Sequence, residues 1–123
     1  MVADQAIPQQ AADRFARTFA DFVQGVRKAL EDAPDHPGTP RWRQKGLPLL
    51  ERDLAETEAA MKNYEAGNQQ PLVHAASSAM SLAKKMDGFP LDVAGEESGE
   101  QLAEQRRFIV MAAWQVLHGA GIV

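Results

Sequence analysis

Hydrophobic residues recur every three or four positions in four separate segments of the chain, which is the spacing of amphipathic helices. In the first segment this pattern runs from Ala12 to Leu30. It predicts a helix over about residues 9–32, which ends before Pro34 because the residue that precedes a proline is disfavoured in the helical conformation. Residues 1–8 lack the pattern, and we expect them to be flexible.

Two further helices are predicted over about residues 48–66 and 71–86. Pro48 and Pro71 suit the first turn of a helix, where a missing N–H removes no intrahelical hydrogen bond, and Gly67 is a typical residue just beyond a helix C-terminus. Only three non-proline residues separate Gly67 from Pro71. A connection this short predicts an antiparallel helical hairpin.

The fourth helix is predicted over about residues 98–118, with Ser98 and Gln101 as a capping box at its start. Its first turns are polar, but from Phe108 onwards apolar side chains cover most of the helix circumference. Such a helix is either surrounded by its own domain or shared with a second chain. The candidate interface residues are Phe108, Val110, Met111 and Trp114.

These segments predict an all-α fold, a four-helix bundle-like single domain over residues 9–123 with a long first crossover loop. A short helical turn is expected within that loop, over residues 40–45, because Thr39 and Pro40 form a typical N-cap and first-turn pair. The chain of 123 residues is long enough for one hydrophobic core. No stretch alternates with the period of two that predicts a strand.

Composition narrows the classes of function. The formal net charge is −4, which argues against nucleic-acid binding, and no apolar run approaches the ~18 residues of a membrane span. There is no cysteine and no signal-peptide pattern, so we expect a cytoplasmic protein that contacts no membrane. Abundant alanine and arginine are typical of a GC-rich bacterial or phage source.

The segment HPGTPRWRQKGLP, residues 36–48, concentrates basic residues around one tryptophan. Two interpretations remain open. Trp42 either closes the end of the bundle, with the basic side chains in water, or it is exposed and binds a partner protein. Tryptophan and arginine are enriched at the energetic centres of interfaces, which supports the second interpretation. The candidate partner-binding residues are Arg41, Trp42, Arg43 and Lys45.

The motifs that would indicate a metal or a nucleotide cofactor are absent. No Glu-x-x-His, HExxH, CxxC or EF-hand loop occurs, and the glycines form neither GxGxxG nor GxxxxGK[ST]. We therefore predict no metal site and no cofactor.

His74 is the one residue with a specific catalytic alternative. The stretch HAASSA resembles the His-x-Leu-Lys-Gly pattern of histidine phosphotransfer domains, in which an exposed imidazole on a helical bundle accepts a phosphoryl group from an aspartyl phosphate. The resemblance covers about six residues, and its hydrophobic, lysine and glycine positions are Ala76, Ser77 and Ser78 here. It implies that His74 would be the nucleophile.

The sequence favours a small non-enzymatic helical protein that binds another protein, as an adaptor, inhibitor, immunity-type or chaperone-type module. No catalytic group other than His74 is indicated, whereas the apolar fourth helix and the basic segment are features that binding would use. The first alternative is a histidine phosphotransfer-like protein that uses His74. The second is a structural homodimer formed through helix 98–118.

Overall fold

The computed structural model describes residues 6–85 and 91–123, and the regular elements within these ranges are helices. In chain order they are α1 (Gln9–Asp32), α2 (Thr39–Arg41), a π-helical turn (Trp42–Gly46), α3 (Leu47–Glu65), α4 (Gln70–Lys85) and α5 (Leu91–Gly119). The predicted all-α fold is confirmed.

The four long helices pack in the ring α1–α3–α4–α5, and α5 closes the ring against α1. Contacts at one end fix the direction of each helix. The main chain of Ile7, just before α1, forms hydrogen bonds with Tyr64 near the end of α3 and with Gln69 just before α4. Pro8 lies against Gly119 at the end of α5. Each helix is therefore antiparallel to both of its neighbours, as in an up-and-down four-helix bundle.

The core is centred on the aromatic residues of α1. Phe15, Phe19 and Phe22 are fully buried, and the rings of Phe15 and Phe19 lie nearly parallel with centroids 6.3 Å apart. Burial of each such side chain contributes on the order of 1.5–3 kcal/mol relative to exposure. The hydrophobic pattern of α1 is therefore the part of the sequence that most directly specifies the fold.

The segment that precedes α1 is held in place, so the prediction of a flexible N-terminus over residues 1–8 is wrong for Ile7. The Ile7 side chain is buried, its N–H donates to Oε1 of Gln69 at 3.0 Å, and its carbonyl accepts a hydrogen bond from the Tyr64 hydroxyl. A single apolar residue has no periodicity, which is why the sequence pattern missed it. Residues 1–5 lie outside the described residues.

The first connection is shorter than the predicted crossover loop, because helical structure resumes at Thr39 and continues into α3. A proline at position 48 normally prevents such a continuation, since its ring clashes with the carbonyl four residues earlier. The π-helical turn over Trp42–Gly46 lies at that point, and the Leu47 N–H bonds to the carbonyl of Trp42, five residues back. The wider turn accommodates the proline without ending the helix.

Helix α5 begins at Leu91, before the predicted start at residue 98, although Gly95 interrupts it with φ 79° and ψ 175°. Ser98 therefore lies inside the helical segment that follows Gly95, and the predicted capping box does not mark the first residue of α5. The predicted last residue of the third long helix, Met86, lies outside the described residues.

Candidate functional site

The outer side of α5 carries a row of large apolar side chains. Phe108 is 47% exposed, Met111 58% and Trp114 48%. Successive members are three positions apart, which places them on one side of the helix. They form the centre of what we call the outer face of α5, which consists of Glu104, Arg107, Phe108, Met111, Trp114, Gln115 and His118.

The inner side of the same helix explains why these side chains remain outside. Ile109, Ala112, Ala113 and Val116 are buried against the rest of the bundle, which includes α1 and α4 as neighbours of α5. The two alanines let α5 lie close to those helices, so the bulky residues between the inner positions have no space within the core. The apolar circumference seen in the sequence is therefore divided into a buried side and an exposed side.

Val110 differs from the other predicted interface residues. Its side chain is half-buried and packs against the hydrophobic core. Phe108, Met111 and Trp114 are brought together on the outer face, whereas Val110 lies on the side of the helix that contacts the bundle.

Polar groups border this apolar row at both ends. Towards the C-terminus, the imidazole of His118 stacks on the indole of Trp114, with ring centroids 4.8 Å apart and an angle of 8° between the rings. Towards the N-terminus, Glu104 and Arg107 are exposed. An apolar centre with a charged and aromatic border is typical of a protein-binding surface.

The basic segment around Trp42 has a different structure from the one that partner binding would need. Trp42 is 1% exposed, and it lines a small space together with Val26, Leu30, Val93 and Leu102. The prediction that Trp42 contacts a partner is wrong, because the indole closes the end of the bundle between α1 and the start of α5. The first of the two interpretations of this segment therefore applies.

The π-helical turn holds the indole in this position. Gly46 lies directly on the six-membered part of the Trp42 ring, where a Cβ atom would overlap Cε3 and Cζ3. Glycine is thus required here by close approach rather than by backbone conformation, since the backbone of Gly46 is helical.

The three basic residues of this segment point away from the core. Arg41, Arg43 and Lys45 are exposed, and Nη2 of Arg43 donates to the carbonyl of Leu30 at 3.4 Å. Their role in partner binding remains a prediction, separate now from that of the indole.

His74 lies in an open groove between α3 and α4 with a volume of about 520 Å³. Its side chain is exposed, as a phosphoryl acceptor would require. The groove is lined by residues that carry cations, carboxylates and hydroxyls, namely Arg52, Asp53, Glu56, His74, Ser77, Ser78, Ser81 and Lys85, together with Leu49 and Leu82.

Asp53 is one of the residues of this groove that the sequence did not single out. Its side chain is only 9% exposed, and Oδ1 is 3.7 Å from Nε of Arg52. Burial raises the pKa of the Asp53 carboxyl above its ordinary value and the Glu56 carboxylate adds to the rise, while Arg52 and His74 partly oppose it. Asp53 and His74 line the same groove, so the groove holds both an acid and an imidazole. The only sequence signal was a charged residue on the apolar side of α3.

Within residues 6–85 and 91–123, no helix is long and apolar enough to cross a membrane. The same residues contain no group of three or more His, Cys, Asp or Glu side chains arranged to hold a metal ion. Comparison of the chain with protein-family models, with curated proteins and with solved structures gives no match.

Proposed function

We propose that this protein is a non-enzymatic binding module, such as an adaptor, inhibitor, immunity-type or chaperone-type protein, and that the outer face of α5 is its contact surface. One observation carries the proposal: Phe108, Met111 and Trp114 are about half exposed in a single row on one helix. Clustered exposed apolar side chains are uncommon on soluble monomers and mark interaction sites.

The chemistry of the face fits a protein partner. Tryptophan and arginine contribute strongly to binding energy, and methionine adapts its shape to the opposing surface. A straight helical row with spacings of three is complementary to another amphipathic helix, which would lay its own apolar side chains between those of α5. The formal net charge of −4 argues against nucleic acid as the partner.

The exposed Arg41, Arg43 and Lys45 are proposed as secondary contacts for an acidic surface of the partner. Exposed cations of this kind change association rates and specificity more than final affinity. The chain lacks cysteine, which fits a function in the cytoplasm.

Affinity capture from an extract of the native cells, followed by mass spectrometry, tests the proposal. The bait is the full chain, compared with Trp114→Ala and with Leu49→Ala. Leu49 is 40% exposed but lies on α3, so it controls for the loss of an exposed apolar side chain elsewhere. We expect the captured protein to be lost with Trp114→Ala and retained with Leu49→Ala. Equal capture by all three baits contradicts the proposal.

Phosphoryl transfer through His74 is a second candidate function. The groove supports it, because an exposed imidazole shares the groove with the Asp53 carboxyl and with the cations Arg52 and Lys85. In this reaction a ring nitrogen of His74 forms a bond to phosphorus as the bond between phosphorus and the acyl oxygen breaks, so that a free carboxylate leaves. The two cations would balance the charge of the phosphoryl oxygens.

Incubation with acetyl phosphate, followed by mass spectrometry under neutral conditions, tests this second function. We expect a phosphoryl group on His74 that disappears in acid and is absent from His74→Gln. Labelling of His36 or His118 instead, or no label at all, contradicts it.

A further inference from the structure

The outer face of α5 is symmetric about Met111. Phe108 and Trp114 lie three positions before and after it, Arg107 and Gln115 four positions, and Glu104 and His118 seven positions. The positions 104, 108, 111, 115 and 118 follow the alternating spacing of four and three that is typical of helices that pair along their length. A surface with this symmetry can be complementary to itself.

We propose that the occupant of this face is a second copy of the chain, paired antiparallel through a two-fold axis at Met111. This inference rests on the proposed function and identifies the partner that binds the outer face of α5. In a two-fold interface each contact occurs twice, so the argument depends on which residues the axis brings together.

The axis brings the apolar residues of the two copies together. Met111 faces Met111 of the second copy, whereas Phe108 and Trp114 of the second copy lie at the same level on opposite edges of the contact, once on each side of the axis. The two Met111 side chains lie between these aromatic residues, and methionine makes favourable contacts with aromatic rings and adapts to the space around them. The side chains that the bundle leaves about half exposed would all be covered.

The charges select the antiparallel orientation. The axis places Glu104 opposite His118 of the second copy, whose ring carries a positive charge and donates from both nitrogens when it is protonated. It places Arg107 opposite the neutral Gln115. Parallel pairing would instead place Glu104 against Glu104 and Arg107 against Arg107, and like charges across an interface are unfavourable.

The face is small, which favours a weak and transient dimer. Only about two heptads of α5 contribute, and three large side chains that are already half buried cover less than the ~800 Å² per partner of a standard interface. We therefore expect a dissociation constant on the order of 10 µM.

Sedimentation equilibrium of the purified full chain, over concentrations from about 1 to 500 µM, covers this range of affinity. We expect a monomer–dimer equilibrium that Trp114→Ala weakens about tenfold or more, because a central aromatic side chain dominates such interfaces. Leu49→Ala is expected to leave the equilibrium unchanged. Circular dichroism of each variant verifies that the helices are intact.

Three charge variants test the orientation. Glu104→Lys and His118→Glu each remove the complementary pair, and we expect each to weaken dimerisation about fivefold. The double variant restores opposite charges in the antiparallel arrangement, so we expect the affinity to return. In a parallel dimer the double variant would have like charges at both positions and would not recover. Glu58→Lys, on the exposed side of α3, is the charge-matched control.

A chain that stays monomeric up to the highest concentration overturns the inference, as does a dimer that Trp114→Ala leaves unchanged. Failure of the double variant to recover overturns the antiparallel arrangement. If the purified chain is monomeric while Trp114→Ala abolishes capture of another protein, only this inference fails. If Trp114→Ala changes neither self-association nor capture, the proposed function fails with it.

Discussion

The imidazole of His118 lies flat on the indole of Trp114, with an angle of 8° between the rings and 4.8 Å between their centroids. Nδ1 of His118 also lies 3.3 Å from the main-chain oxygen of Val123, which restrains the ring at its edge. The contact holds an exposed tryptophan in one orientation before any partner is bound. A side chain that is already ordered loses less entropy on binding.

His118→Ala is expected to weaken association through the outer face of α5 while leaving the fold intact. Both rings are exposed, so we expect the free energy of unfolding to change by less than about 0.5 kcal/mol. The affinity is expected to fall about two- to fivefold, because Trp114 regains rotamers that binding must then restrict. Urea unfolding and sedimentation equilibrium measure the two quantities. A large loss of stability with no change in affinity would contradict this assignment.

Trp42→Ala is expected to destabilise the protein by about 3–5 kcal/mol, since it leaves a cavity where a fully buried indole was. Trp114→Ala is the matched control, and we expect it to cost less than about 1 kcal/mol, because that indole is half exposed. Thermal unfolding of both variants distinguishes them. Similar losses of stability for the two variants would contradict the assignment of Trp42 to the core.

Gly46→Ala is expected to destabilise the protein, although alanine in a helical conformation normally stabilises by about 0.4–1 kcal/mol. The added methyl group would overlap the Trp42 ring, and overpacking of this kind costs about 1–3 kcal/mol. Combining it with Trp42→Leu removes the overlap, so the two losses are expected to be less than additive in urea unfolding. Additive losses of stability would show that the cost of Gly46→Ala does not come from overlap with the Trp42 ring.

Asp53→Asn is expected to stabilise the protein at neutral pH. Since the pKa of the buried carboxyl is raised in the folded state, the protonated form favours folding, and that contribution is lost as the pH rises through the folded-state pKa. Asparagine stays neutral, so its advantage over the wild type is expected at neutral pH and disappears below the ordinary carboxyl pKa. Thermal unfolding against pH measures it, with Glu58→Gln as the exposed control. Destabilisation at neutral pH would mean that the contacts of Asp53 outweigh its burial.

Tyr64→Phe is expected to lower stability by about 1 kcal/mol, because it removes the hydroxyl that bonds to the carbonyl of Ile7. Ile7→Ala removes the buried side chain itself and is expected to cost about 2–5 kcal/mol. Gln10→Ala, exposed in the first turn of α1, is the control. Hydrogen exchange at the Ile7 amide provides a local measurement. Unchanged exchange in Tyr64→Phe would contradict a tethering role.

The four long helices, apart from residues 91–97 of α5, could be predicted from the sequence because each has a long periodic pattern that a single residue does not change. The bounds of α1 agree with the prediction, and the hairpin of α3 and α4 follows from Pro71 and Gly67. The π-helical turn could not be predicted, because Gly46 and Pro48 normally end a helix and only the packing against Trp42 explains why they do not.

The candidate sites could be predicted less completely than the helices. The periodicity identified α5 as the apolar helix, but which of its side chains face outwards depends on the two alanines that set its distance from the bundle. Asp53 could not be identified as a neighbour of His74, since the two residues come from different helices and meet only through the pairing of α3 with α4. Trp42 was assigned to two locations, and burial decided between them.

The protein's two tryptophans occupy opposite environments, one enclosed at the end of the bundle and one half exposed on α5. Their fluorescence can therefore distinguish unfolding of the bundle from association through the outer face of α5. Emission from Trp42 reports on unfolding, whereas emission from Trp114 reports on whatever covers the outer face. Replacing either tryptophan with phenylalanine leaves a chain with a single fluorescent tryptophan. Folding and association can then each be followed by intrinsic fluorescence, without a dye or a tag.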